Sequence, residues 1–188
     1  YHIHNADMLK VYLTFIGDGR FYINRSCISN VPNVKIDPLA EIRACLQSYG
    51  RPVEYEELFA ALPHLPQNKI KFIVASNGEF INNGHGGYFH ESVVRISEKD
   101  LKNIADIIEQ TIAEKGFIGG NELYDAIKAK YPHIIDENQA FSIYGFRDAL
   151  KAKLGNMFSF KGNIISRYGH ELSMADVFAD YARKHDSF

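Results

Sequence analysis

One local pattern recurs almost three times along the chain: a short helical stretch, a Gly/Asn break, then two short aromatic strands around a tight turn. It covers residues 8–29, 68–91 and 146–167. In the second and third copies it follows a helix, a β-like dipeptide and a further helix. A repeated order of helix, strand, helix, helix, hairpin limits the chain to small mixed units rather than one large sheet or bundle.

The copies match position by position. The first helix of the first full copy starts at Asp37, a good N-cap, with Pro38 at the first helical position. Leu39, Ile42, Leu46 and Tyr49 form its apolar stripe, and Gly50 stops it. Its counterpart starts at Ser97 with Asp100 at capping-box spacing, runs through Leu101, Ile104, Ile108 and Ile112, and stops at Gly116. Pro52-Val53 and Phe117-Ile118 then suit a short extended segment. Glu57-Leu58-Phe59 aligns with Glu122-Leu123-Tyr124 in the second helices.

The third helices are expected at residues 66–76, with Ile70, Ile73 and Val74 inward, and within 138–154, with Phe146, Ala149, Leu150 and Leu154 inward. Each leads into a hairpin. A long, flexible, glycine-rich loop is expected over residues 82–87, and a tight turn over Lys161-Gly162-Asn163. The opening segment matches only the last part, with a helix near 7–16, the break Gly17-Asp18-Gly19 and a hairpin over 20–29. Its apolar set, including Leu9, Val11, Phe15, Phe21 and Tyr22, needs cover from the next unit or a symmetric partner. This order is that of a winged helix. The predicted fold is α+β, mainly helical, with tandem winged-helix modules, each a helix-turn-helix with a β-hairpin wing. The expected divisions are 1–34, an incomplete winged-helix-like unit; 35–96 and 97–170, winged-helix modules; and 171–188, an amphipathic helix and tail.

A chain of 188 residues that is 46% hydrophobic and 13% aromatic can bury an ordinary core. No apolar run approaches about 18 residues and no basic segment leads into one, so neither a membrane span nor a signal peptide is expected. Cys27 and Cys45 show no paired ligand spacing and suit a reducing, cytoplasmic setting as small apolar residues. The chain opens at a tyrosine in mid-repeat, which points to a fragment of a longer protein.

With 21 Lys+Arg against 23 Asp+Glu, the overall charge of −2 argues mildly against a phosphate-neutralising surface. Charge is nevertheless sorted along each repeat. Second helices hold Glu54, Glu56 and Glu57, or Glu122 and Asp125, whereas residues 146–168 hold Arg147, Lys151, Lys153, Lys161 and Arg167 against Asp148 alone. On that third helix Tyr144, Arg147 and Lys151 fall within about 60° of one another, away from the inward face. With Lys161 and Arg167 on the adjoining wing they are candidate DNA contacts, the alternative being a solvated outer face. The corresponding outward stripe of the earlier copy is Asn68, Lys71 and Ala75, with Lys71 a further candidate DNA contact. Phe72 also points outward and is expected to pack on a neighbouring module. Near the end, Ser173 and Asp176 repeat the capping spacing, and Met174, Val177, Phe178 and Tyr181 form an apolar face expected to dock on this chain or on a partner.

Other constellations carry less chemistry. The glycines at 82–87 are not followed by Lys-Ser/Thr or a helix, unlike a phosphate-cradling loop. His85, His90 and Glu91 share one hairpin without a second ligand pair, so no zinc site is expected. The glutamates of the second helices have no histidine or nucleophile placed beside them. Neither an enzyme, a cofactor nor a small-molecule substrate is expected.

Residues 48–58, Ser-Tyr-Gly-Arg-Pro-Val-Glu-Tyr-Glu-Glu-Leu, followed by Phe72-Ile73-Val74-Ala75-Ser76-Asn77-Gly78-Glu79-Phe80-Ile81 and Tyr88-Phe89, resemble the HARE-HTH winged-helix module of the delta subunit of bacterial RNA polymerase. The resemblance covers about sixty residues of the first full copy and is echoed by residues 17–21. The second copy departs from it around 131–138 and at Asn156-Met157-Phe158. It implies a module of transcription, chromatin or restriction proteins and carries no catalytic residues over; with the local charge sorting, the leading expectation is a non-catalytic, DNA-associated accessory region of a bacterial transcription, restriction or mobile-element protein. The alternative is a protein-interaction scaffold, with Phe72, Phe178 and Tyr181 as its exposed apolar contacts and no direct nucleic-acid contact.

Overall fold

The structure, a computed structural model, describes residues 2–17, 20–23, 28–32 and 36–184, apart from the side chains of residues 180, 181, 183 and 184. The chain divides into two compact units, Tyr1–Ala40 and Glu41–Phe188. It is α+β, mainly helical, with small antiparallel sheets. Among the described residues no helix is long and apolar enough to cross a membrane.

In the first unit, α1 (Ala6–Gly17) starts where the Asn5 side chain accepts the amide of Met8 at 2.8 Å. Strands β1 (Tyr22–Ile23) and β2 (Ile28–Ser29) pair antiparallel, with Tyr22 opposite Ser29. Met8, Val11 and Phe15 on α1 are exposed. Asp18 and Gly19 of the expected break, the hairpin turn with Cys27, and the expected boundary at 34/35 lie outside the described residues.

The second unit begins within α2 (Pro38–Tyr49). The Asp37 carboxylate accepts the amides of Leu39 and Ala40, as a helix start at Asp37 requires. Next come β3 (Val53–Glu54), α3 (Tyr55–Ala61), α4 (Gln67–Ser76), β4 (Phe80–Gly84), β5 (Gly87–His90) and a 3-10 turn, Glu91–Val93. The same order returns as α5 (Glu98–Lys115), β6 (Phe117–Gly119), α6 (Gly120–Lys130), α8 (Ile143–Leu154), β7 (Phe158–Lys161) and β8 (Ile164–Arg167), with α7 (Pro132–Glu137) inserted before α8 and α9 (Met174–Lys184) at the end. Two three-stranded sheets result, ordered β3-β5-β4 and β6-β8-β7. In each, the short strand between the first two helices pairs with the second hairpin strand.

The expected caps are present. Ser97 accepts the Asp100 amide at 3.1 Å, and Gly116 closes α5 at φ 87°, in the left-handed region that glycine tolerates. Ile70 and Val74 of α4, and Phe146, Ala149, Leu150 and Leu154 of α8, are buried as their spacing predicts.

Three expectations change. The loop expected over 82–87 is mostly strand: pairing runs to Gly84 opposite Gly87 across a bulge after Asn82, leaving His85-Gly86 as the turn. Both turn residues have positive φ, 51° and 81°, as a two-residue hairpin turn requires. The segment around 131–138 is helical, with Ile134 and Ile135 buried. Phe72 is exposed and does not pack on a neighbouring module. The tail helix leaves Met174 and Phe178 exposed, which keeps open the partner that the sequence allowed as its docking target.

One buried cluster runs from Ile81 to Ile165 and joins the first hairpin to the elements that follow it, while Ile42, Leu46, Val53, Leu58, Ile70 and Val74 are buried outside it. Ile81, Phe89 and Val94 cluster with the buried side chains of α5, α6, α8 and β8. The Phe89 ring, fully buried, lies 4.6 Å from that of Phe141. Beside it, the Asn83 side chain accepts the Ser142 amide at 2.8 Å, so the first hairpin caps the start of α8. A Cβ on Gly145 would collide with the Asn83 side-chain oxygen and come within 3.0 Å of the Phe89 ring, so this approach needs glycine.

Candidate nucleic-acid and partner-binding faces

In the α8 stripe expected to meet DNA, Arg147 is engaged while Tyr144 and Lys151 stay exposed. The Arg147 side chain is only 16% exposed. It donates from Nε and Nη2 to Asp148 Oδ1 at 3.0 and 2.7 Å, and its guanidinium stands 5.7 Å from the Tyr144 ring centre. Gly120 makes room for it, since a Cβ there would lie 2.9 Å from Arg147 Cδ and 2.5 Å from Asn163 Oδ1. Lys151 is exposed but shares a shallow groove with Asp148, Asn82 and Ile81 of β4. On the hairpin, Lys161 lies 3.8 Å from the Glu171 carboxylate, whereas Arg167 and Tyr144 are exposed. Asp148, Lys151 and Ala152 of α8 therefore border β4, whereas Arg147 lies beside Gly120 and Asn163 and is paired with Asp148. The stripe presents a mixed surface, not a continuous positive one.

The outward face of α4 is arranged differently. Gln67, Asn68, Lys69, Lys71, Phe72, Ala75 and Ser76 are all exposed, and the helix Gln67–Ser76 contains no acidic residue. Ile70 and Val74 anchor its opposite face in the core. Phe72 is 72% exposed and is the one exposed large apolar side chain on α3 or α4. The Lys71 ammonium stands 5.4 Å from the Tyr55 ring and 5.6 Å from that of Phe59, which are themselves stacked 5.7 Å apart. Burial, then hydrogen bonding to Tyr88, pushes the Tyr55 hydroxyl up to about 12. Lys69 was not among the sequence candidates; the absence of any acid between 67 and 76 was the signal that could have found it.

The His90 hairpin end is a structural junction. His90 is 7% exposed. Its Nδ1 accepts the Ser92 amide at 3.1 Å and lies 2.7 Å from the Ser92 hydroxyl, capping the 3-10 turn, while Nε2 lies 3.2 Å from Glu79. Glu79 in turn accepts from Arg43 Nε and Nη2 at 2.5 and 2.9 Å. These two donors, ahead of His90, hold its carboxyl below the usual carboxylate range. The arrangement ties α2 to the hairpin and leaves the imidazole occupied by its own turn.

The tail helix α9 is closed by Ser173, whose hydroxyl accepts the Asp176 amide at 3.2 Å, and by Asp176, which accepts the Ser173 amide at 2.7 Å. Phe178 is 66% exposed and Val177 half-buried, while the Tyr181 side chain lies outside the described residues. No protein-family model matches the chain, and comparison with curated proteins finds no significant match.

Proposed function

We propose that this chain is a non-catalytic, nucleic-acid-associated region of a larger cytoplasmic bacterial protein, built from two winged-helix modules and serving transcription, restriction or a mobile element. The repeated element order and the shared pattern of strand pairing support the winged-helix reading. On that reading α4 and α8 are the third helices, the elements that winged and unwinged helix-turn-helix proteins lay against DNA. The observation that carries the proposal is the outward face of α4, fully exposed, bearing Lys69 and Lys71, and free of acidic residues along the helix. α8 is instead flanked by β4, with Arg147 held by Asp148, so α4 rather than α8 meets the nucleic acid.

The exposed Met174 and Phe178 of α9 favour a second reading, a scaffold that binds protein through its tail. Titrating the chain against a mixed-sequence duplex and its single strand at two salt concentrations separates the two. Nucleic-acid association through α4 requires binding that falls with salt, and a salt slope reduced by about 2 when Lys69 and Lys71 are both changed to Ala. Changing Arg147, Lys151 and Arg167 to Ala should have the smaller effect. Absence of binding to either strand form at low salt leaves only the scaffold.

A further inference from the structure

Resting on the nucleic-acid reading of α4, we infer that the ligand of this face is an unpaired base stacked on Phe72, with its flanking phosphates held by Lys69 and Lys71. Phe72 is the most exposed of the large apolar side chains in residues 41–184 that the structure describes. At 100° per residue it occupies the middle of a face made by Asn68, Lys69, Ala75 and Ser76, with Lys71 at its edge. Ala75 and Ser76 are small, so the C-terminal side of the face leaves room for a flat ring. Lys71 is placed by the stacked Tyr55 and Phe59 rings, and Lys69 lies one turn before Phe72.

A protein partner would call for different surroundings. Hot-spot aromatics sit among other apolar contacts that exclude water, whereas the helical neighbours of Phe72 are an amide, a lysine, an alanine and a serine. A duplex fits less well too. In the major groove a phenylalanine finds an apolar contact only at a thymine methyl, while every unpaired base offers a π face that an aromatic ring accepts regardless of sequence. Two ammonium groups beside one exposed ring, with no carboxylate on the same helix, is the combination that single-strand binding uses.

The chain contains no tryptophan, so Phe72→Trp places a single indole at the site. Titration of this variant with an oligo-dT single strand should quench the indole, and the response should weaken with salt. Phe72→Ala should lower affinity for the same strand by at least about fivefold, a larger loss than for a duplex, while leaving the unfolding midpoint unchanged. If Phe72→Ala binds oligo-dT as well as the unaltered chain does, the stacking inference falls and the nucleic-acid reading stands. If the unaltered chain binds neither oligo-dT nor duplex, both fall and Phe72 belongs to a protein-facing surface.

Discussion

Glu79 shows how single side chains join elements that are distant in sequence. Arg43 on α2 donates two hydrogen bonds to it, and His90 at the end of β5 approaches from the other side. Because its carboxyl titrates below the ordinary value of 4.5, its contribution to stability is complete above that pH and is lost as pH falls through the lower, folded value. Glu79→Gln should therefore destabilise the chain by about 1–2 kcal/mol at pH 7. The difference from the unaltered chain should shrink as pH drops below 4.5, followed by urea unfolding at several pH values. A difference that stays constant with pH would assign the loss to shape rather than charge. Residues of this kind were hidden in the sequence. Asn83 and Asn138 act through partners up to 59 positions away, Gly145 meets Asn83 from further still, and an asparagine carries no periodic signal that names its partner. Arg147 was legible as a cation on the outer face of a helix. Its capture by the adjacent Asp148 depends on rotamers, which spacing does not specify.

Elements with marked ends were the legible ones. α2 and α5 were bounded by Asp37, Ser97, Gly50 and Gly116, and the structure uses all four. α7 was missed because six residues are too few to show a helical stripe and Pro132 reads as a break, although proline is tolerated at a helix start. The first hairpin was legible, but the inner ends of its strands were read as loop because Asn and Gly dominate residues 82–87, and the bulge interrupts the alternation that would reveal a strand. The tail helix was legible as a helix; Met174 and Phe178 do not dock on this chain, which leaves the partner half of the expectation standing. That exposure has an energetic consequence. A helix held by its cap more than by packing should lose about 1 kcal/mol of local stability when Ser173 is changed to Ala. Amide exchange over residues 174–178 should speed up about fivefold, with the unfolding midpoint of the rest unchanged. A fall in that midpoint would mean that α9 is packed.

At the scale of the whole molecule, the paired element orders suggest two independent modules, but the packing of residues 41–184 joins them. Phe89 belongs to the first sheet, yet it is buried against Phe141, which precedes α8. The Asn83 hairpin caps α8, and buried Asn138 binds the strand-like stretch after the first hairpin at both ends: its Oδ1 accepts the Arg95 amide at 2.9 Å and its Nδ2 donates to the Arg95 carbonyl at 2.7 Å. The same Nδ2 also donates to the Ile134 carbonyl at 2.8 Å. The core of the second half is then completed by Ile81, Phe89 and Val94 of the first, and the two should open together. Asn138→Ala leaves these backbone groups without their partner and should cost about 2 kcal/mol or more. In native-state hydrogen exchange, the slowest amides of β5 and β8 should share one opening free energy, and this substitution should lower both by the same amount. Lowering only the β8 value would separate the halves. The face of α4 would then be carried by a module whose stability did not depend on its neighbour, and its orientation relative to α8 would no longer be set by one core.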